Sequence, residues 1–255
     1  RILASIAEKD LGQPITVVNK GGGNFFIDFG RDAFGFVKIH LNGSFAGQSM
    51  EVRMGEKAVG NSVDTAPGAT IRYGTTTLAL SSGDVTYDVH KASTTTGISV
   101  SWSGGVMPFR YVELLNCPAT LTAADIRQQV LHYPFDSSAA GFTSSNTTLN
   151  SVWDLCYHSI KATSFCGVYV DGDRERTPYE ADAYINQLGH YGVDREYTMA
   201  RYSYEYLLDH HTWPLEWRFH FPLMAWADYM YTGNADALAK NYAAIKAYIR
   251  TDRER

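Results

Sequence analysis

Cysteine is scarce in this 255-residue chain: Cys117, Cys156 and Cys166 are all there is. An odd count with no CxxC spacing suggests neither a zinc site nor a disulfide framework. A bridge from Cys166 to Cys117 or from Cys166 to Cys156 has no support in the spacing. Cys156, among apolar residues at helical intervals, reads as a small packed hydrophobe. Basic charge is not in excess. Lys and Arg number 22 against 27 Asp and Glu, a net charge of −5, which argues against the basic face that nucleic-acid binding requires. No apolar run approaches the length of a membrane span, so no membrane partner is expected. Residues 1–7 lack the apolar core of a secretory signal, and no compartment is assigned. Gly21-Gly22-Gly23 has no Lys-Ser/Thr after it and no βαβ surroundings, so it reads as a turn and not as a phosphate loop. His210, His211 and His220 match no common metal-ligand spacing and read as capping or core residues. No cofactor and no metal are expected.

What is present is an ordinary apolar content, 45%, enough for a real core. It is patterned in two ways. Up to about residue 135 the apolar residues fall in short β-favouring runs: 15–18, 25–29, 36–41, 50–53, 71–73, 76–80, 85–89, 98–102 and 109–114. Gly, Asn, Ser and Asp punctuate the gaps. Many short strands at regular spacing indicate a β-sandwich, jelly-roll-like in character. A carbohydrate-binding module is the lesser alternative reading of such a sandwich, since no exposed aromatic row is readable. Asn42-Gly43-Ser44 and Asn146-Thr147-Thr148 are formal glycosylation acceptors.

Residues from about 131 to 143, with Pro134, Asp136-Ser137-Ser138 and Gly141, read as a linker. Beyond them the period changes to 3.6. Leu149, Val152, Trp153, Cys156, Tyr157 and Ile160 form a helical stripe with Ser145 or Asn146 as N-cap. Tyr184, Leu188 and Tyr191 mark a second helix; Met199, Tyr202 and Tyr206 a third; Leu223, Trp226, Ala227, Met230 and Tyr231 a fourth. Gly233 closes that one, and Asn234 caps a fifth whose stripe is Leu238, Tyr242, Ile245 and Ile249. Short connections between helices indicate successive α-hairpins, the unit of α/α toroids. The expected organisation is multi-domain, β then α: residues 1–135 a β-sandwich, 136–145 a linker and 146–255 helical.

Between the first and second helices lies the stretch on which the rest turns, Tyr169 to Asp182. It holds five acidic residues, two arginines and two tyrosines, and Gly172 and Pro178 make 171–179 a loop. Charge alone would suit a solvated loop of weak ion pairs. The aromatics change the balance: Tyr169 and Tyr179 bracket the acids, and Trp213, Trp217 and Trp226 follow. Sugars present apolar faces and polar edges, so sites that take them mix aromatic platforms with carboxylates. The segment Trp213-Pro214-Leu215-Glu216-Trp217 reads equally as a subsite lining and as an interhelix turn whose tryptophans seal the core.

The same stretch resembles the bacterial α-L-rhamnosidases of glycoside hydrolase family 78. Their loop reads Asp-Cys-Pro-x-Arg-x-Glu-Arg followed by Gly-Trp-x-Gly-Asp. Here Glu175-Arg176 fits the Glu-Arg step, Tyr179 falls where the Trp would be, and Asp182 falls on the final Asp with the spacing preserved. There is no Cys-Pro, and Asp171 meets the leading Asp only with two residues deleted. Phe29-Gly30-Arg31, Phe34-Gly35-Phe36-Val37 and Glu51-Val52-Arg53-Met54-Gly55-Glu56 are similar to the sandwich that precedes the rhamnosidase barrel. Trp226 to Asn234 is similar to the barrel itself.

The resemblance implies an inverting glycosidase that releases terminal α-L-rhamnose from glycosides or polysaccharides. Its β-sandwich would be followed by part of an (α/α)6 barrel. Glu175 would be the general acid, and Asp171, Arg174, Tyr179, Asp182, Trp213, Glu216 and Trp217 would bind substrate. Twelve helices make such a barrel, and about five are readable here. The general base of the family comes late in the barrel, beyond Arg255, and Glu216 is not given its role. A different α/α-toroid glycosidase, a polysaccharide lyase and a non-catalytic sugar-binding protein remain as alternatives. Detection of an unsaturated product separates the lyase, and binding without turnover separates the last.

Overall fold

The computed structural model describes residues 7–68, 70–91 and 105–253. A sheet-rich N-terminal part is followed by helices. The chain divides into two compact units, one built mainly on residues 8–131 and the other on residues 132–255.

The first unit is organised on one long strand. The strands in chain order are β1 (Ala7–Gly12), β2 (Thr16–Gly21), β3 (Asn24–Gly43), β4 (Ser49–Gly55), the short pair β5 (Ala58–Val59) and β6 (Ser62–Val63), β7 (Tyr73–Ala79), β8 (Gly83–Val89), β9 (Met107–Leu115) and β10 (Ile126–His132). Among the described residues the sheet runs β1-β10-β3-β9-β4-β7, with β2 and β8 also pairing with β3. The first half of β3 pairs with β2 and β9, and the second half with β10 and β8, all antiparallel. The change of partners follows a register shift between Asp28 and Ala33, where Gly30 takes a positive φ of 83°. Such a bulge bends a strand. Phe25, Ile27 and Phe29 before it, and Val37, Ile39 and Leu41 after it, alternate into one core with Met50, Val52 and Met54 of β4 and Val112 and Leu114 of β9. This is the period-two pattern that the sequence shows.

The runs 25–29 and 36–41, expected as two strands, are therefore one. The glycines between them mark a bulge and a close approach: a Cβ on Gly35 would stand 1.9 Å from the Gln129 carbonyl oxygen. The expected strand 98–102 lies outside the described residues. β10 was not anticipated, because Arg127-Gln128-Gln129 breaks the apolar alternation. Gln128 and Gln129 are nevertheless buried, and Gln128 Nε2 donates to the Phe109 carbonyl at 2.6 Å, which satisfies its burial. The segment after β10 runs without regular structure to the first helix.

The second unit holds α1 (Thr147–Ala162), α2 (Glu180–Val193), α3 (Thr198–Asp209), a 3-10 turn (Leu215–Phe219), α4 (His220–Thr232) and α5 (Asp236–Arg253). Asn146 caps α1, its side chain accepting from the Thr148 N–H at 2.9 Å. Gly233 ends α4 in the left-handed region at φ 67°. Asn234 Oδ1 accepts from the Asp236 N–H at 2.7 Å. Each helix packs on the next, and α2–α4 and α3–α5 also touch. Their core gathers Tyr169, Ala183, Tyr191, Met199, Tyr204, Leu207, Phe221, Met224 and Ile245.

Two faces differ from the sequence pattern. α1 buries no residue completely, and Cys156 is exposed and free rather than packed. In α4 the buried side is Phe221, Met224, Ala225, Ala227 and Asp228, while Leu223, Trp226, Met230 and Tyr231 are exposed. α4 is apolar nearly all round, so its period selects no face. Its one carboxylate does: Asp228 accepts from the Tyr191 hydroxyl at 3.0 Å and from Arg201 Nε at 2.8 Å.

Candidate active site

The segment from Thr163 to Tyr179, between α1 and α2, contains no regular helix or strand. Gly172, at φ 91°, and Pro178 are incompatible with a continued helix. The entry to the loop is fixed deep in the helical unit. The Tyr169 N–H donates to Ser203 Oγ at 3.0 Å, and its phenol hydrogen-bonds His190 Nδ1 at 2.6 Å. The loop then closes on itself. The Asp171 N–H donates to the Thr177 carbonyl at 3.3 Å, and the Thr177 N–H donates to Asp171 Oδ1 at 3.0 Å.

Within this closure the charges sort by direction. Asp173 and Arg176 turn inward as a buried ion pair. Arg174 and Glu175 turn outward. Arg174 Nη2 stands 3.1 Å from Glu175 Oε1, and its Nε stands 3.7 Å from Asp171 Oδ2. The Tyr179 hydroxyl donates to Glu175 Oε2, which pushes the Tyr179 phenol up to about 12. The Tyr179 ring meets Trp217 edge-on at 5.5 Å.

An open cleft of about 470 Å³ is lined by Thr163, Asp171, Arg174, Asp182, Ile185 and Asn186, among others. Burial raises the Asp182 carboxyl above its ordinary range, and the Asp171 charge adds to that; Arg174 opposes it. Asp171 Oδ2 is buried with no hydrogen-bond partner among the described residues. A carboxyl that inclines to hold its proton, beside an acceptor oxygen without a donor, suits a polar ligand carrying several hydroxyls.

Asp171, Arg174, Glu175, Tyr179 and Asp182 are thus gathered in one region, with Trp217 against Tyr179. Trp213 is 84% exposed and lies 6.5 Å from the Trp217 ring, so it does not seal a core. Glu216 is exposed on the 3-10 turn and is not among the cleft residues. Sequence pattern missed Thr163, Ile185 and Asn186. Asn186 was findable, being four residues after Asp182 on the same face of α2. It also missed Glu180, which is fully buried and accepts from the Thr212 N–H at 2.8 Å and from the Thr212 hydroxyl. His210 Nδ1 lies 2.9 Å from the Tyr206 carbonyl and His220 Nδ1 2.9 Å from the Trp217 carbonyl; both serve helix ends.

A sheet-rich part is followed by helical hairpins, and carboxylates and aromatics gather on the loop between α1 and α2. Residues 137–255 match the family model described as the bacterial alpha-L-rhamnosidase 6 hairpin glycosidase domain. The match covers the helical part of the chain and supports a rhamnosidase-family fragment there. Comparison with curated proteins gives no match. Among solved structures the chain is similar to the alpha-L-rhamnosidase from Dictyoglumus thermophilum, with 19% identity and a TM-score of 0.79 over 96% of this chain and 28% of that one. It is similar to the Streptomyces avermitilis alpha-L-rhamnosidase complexed with L-rhamnose, with 17% identity and a TM-score of 0.72 over 96% of this chain and 24% of that one. For the family 78 rhamnosidase of Bacillus sp. GL1 the figures are 17% identity and a TM-score of 0.65, over 92% of this chain and 25% of that one. At these identities the likeness is one of fold. The chain spans about a quarter of the length of these three structures.

Proposed function

We propose that the chain is part of an inverting α-L-rhamnosidase that releases terminal α-L-rhamnose from glycosides or polysaccharides. In this reading residues 1–135 form a jelly-roll-like β-sandwich, 136–145 a linker, and 146–255 the first hairpins of an (α/α)6 barrel. The end of β10 at His132 and the start of α1 at Thr147 support those limits. The shared core on both sides of the β3 bulge supports a sandwich.

Glu175 is the general acid. In an inverting glycosidase one carboxylic acid protonates the leaving oxygen as the glycosidic C–O bond breaks, while a distant carboxylate activates the water that attacks the opposite face. No residue of this chain is assigned as that base. Asp171, Arg174 and Asp182 hold sugar hydroxyls in the cleft. Tyr179, Trp213, Glu216 and Trp217 form its aromatic and polar margin. The observation that carries the reading is the grouping of Asp171, Arg174 and Asp182 around one cleft, with Glu175 Oε1 3.1 Å from Arg174 Nη2. Arg174 has two acidic neighbours, Glu175 at 3.1 Å and Asp171 at 3.7 Å. A shift of its guanidinium toward Asp171 when substrate enters leaves Glu175 free to carry the transferable proton.

The test is Glu175→Gln in the full-length enzyme, which keeps the shape and removes the proton. On an unactivated rhamnoside turnover falls by about 10²–10⁴, the usual worth of general acid catalysis. On an aryl rhamnoside with a good leaving group the loss is much smaller. Asp182→Asn, which disturbs substrate orientation, lowers turnover on both alike. Equal losses for Glu175→Gln on the two substrates would move the acid's role to Asp171 or Asp182. Binding without turnover in the unmodified protein would make it a sugar-binding protein.

A further inference from the structure

We infer that the buried Asp173–Arg176 ion pair is a positioning clip for Glu175, acting through the backbone between them; the inference rests on Glu175 being the general acid. Asp173 is 8% and Arg176 6% exposed. Arg176 Nε donates to Asp173 Oδ1 at 3.0 Å, and Nη2 donates to the same oxygen. The guanidinium carbon also lies 5.0 Å from the Phe165 ring centroid. A buried ion pair is a poor device for stability, because desolvation offsets most of the attraction and an apolar pair would do as well. It is a good device for fixing where a backbone goes.

The backbone here needs fixing. Arg176 sits at φ 54°, a left-handed conformation that residues other than glycine rarely hold without help. It is the residue directly after Glu175. With the side chains three apart pinned inward, the two between them are carried outward at the crest of the turn, where the Arg174 and Glu175 side chains are 62% and 42% exposed. The Thr177 hydroxyl donates to the Glu175 carbonyl at 3.2 Å, and the Asp171–Thr177 closure ties off the base. Glu175 is therefore set from its own backbone on both sides, and Tyr179 sets only its carboxylate. A proton donor displaced by an ångström from its acceptor loses most of its effect, so the clip governs the chemical step without touching substrate.

The experiment uses the full-length enzyme and compares an unactivated rhamnoside with an aryl rhamnoside of good leaving group. The first variant is the neutral pair Asp173→Asn with Arg176→Gln, which removes both charges of the pair together. The expected result is a fall in kcat of about 10- to 100-fold on the unactivated substrate, with a several-fold smaller loss on the aryl one and little change in KM. Arg176→Lys, which keeps the charge but not the fork, gives the same selectivity at smaller size and serves where the neutral pair fails to fold. In the Glu175→Gln background, breaking the clip adds no further loss on the unactivated substrate, since only the acid is being placed. Equal losses on both substrates, or full additivity with Glu175→Gln, would overturn the clip. If Glu175→Gln itself shows no selectivity between substrates, the general-acid reading fails instead, and the two failures are distinguishable.

Discussion

The phenolic hydroxyl of Tyr179 donates its hydrogen to Oε2 of Glu175, while Arg174 Nη2 stands 3.1 Å from Oε1, and the two hold the carboxylate head between them. The phenol titrates at about 12, so Tyr179 remains a donor throughout the range in which an enzyme works. Its ring is steadied by Trp217. Tyr179→Phe keeps the ring packing and deletes the bond. The expected outcome, measured as kcat in the full-length enzyme, is a loss of about tenfold on an unactivated rhamnoside, within the range that misplacement of a reacting group produces. A change of less than twofold would show that the carboxylate is placed without its help.

Glu180 gives a structural prediction. It is the first residue of α2, fully buried, and its two oxygens accept from the N–H and the hydroxyl of Thr212. A carboxylate at a helix N-terminus is also favoured by the helix dipole. The link ties the segment that carries Trp213 and Trp217 to α2. Thr212→Val keeps the side-chain shape and leaves one buried carboxylate oxygen without its hydroxyl donor. Denaturant unfolding should report a loss of about 1–3 kcal/mol, the cost of an unsatisfied buried polar group. A loss below about 0.5 kcal/mol, the ordinary range of a surface substitution, would mean that water replaces the hydroxyl.

Much of the fold was legible because the two periods are clean. The alternation of Phe25, Ile27, Val37, Ile39 and Leu41 announces the two halves of β3 though not their continuity, and Asn146, Gly233 and Asn234 announce helix ends through local chemistry that needs no tertiary knowledge. What escaped was whatever tertiary contact decides. Gln128 and Gln129 look like surface residues until the Phe109 carbonyl satisfies one of them. The buried side of α4 is chosen by Asp228 meeting Arg201 and Tyr191, a pairing across helices that spacing does not reveal. In the acidic loop the residue types pointed to a sugar site, but their directions did not follow. Nothing in the run from Asp171 to Arg176 says that Asp173 and Arg176 face inward while Arg174 and Glu175 face outward.

His190 makes stability depend on pH. It is fully buried, stacked on Phe135 at 4.6 Å and bonded to the Tyr169 phenol, with Nε2 3.8 Å from Asp194 Oδ2. Burial lowers its pKa below the ordinary 6.5, and the Asp194 and Glu196 charges oppose that shift without cancelling it. The unfolded chain therefore binds a proton more readily than the folded one. The associated stability is fully present above about 6.5 and is lost as pH falls from there toward the folded pKa. Melting temperature should decline as pH drops below 6.5, and His190→Gln should flatten that decline. An unchanged slope in the variant would assign the acid sensitivity to other groups.

The last prediction concerns association of the 255-residue chain by itself. Leu155 on α1 is 64% exposed, and on α4 Trp226 is 56% and Met230 59% exposed. Trp226 and Met230 are residues that the helical period marks as core, and exposed apolar side chains of this kind promote association. The chain should sediment as a mixture of self-associated species at micromolar concentration, and it should be inactive on rhamnosides. Leu155→Lys combined with Trp226→Lys should shift the distribution toward monomer. Neither side chain is buried, so the melting temperature should change little. Salt should not dissolve the association, since screening weakens charge pairs and leaves apolar contact intact. A monodisperse monomer with full rhamnosidase activity would show that these faces need no cover and that the base lies within the chain.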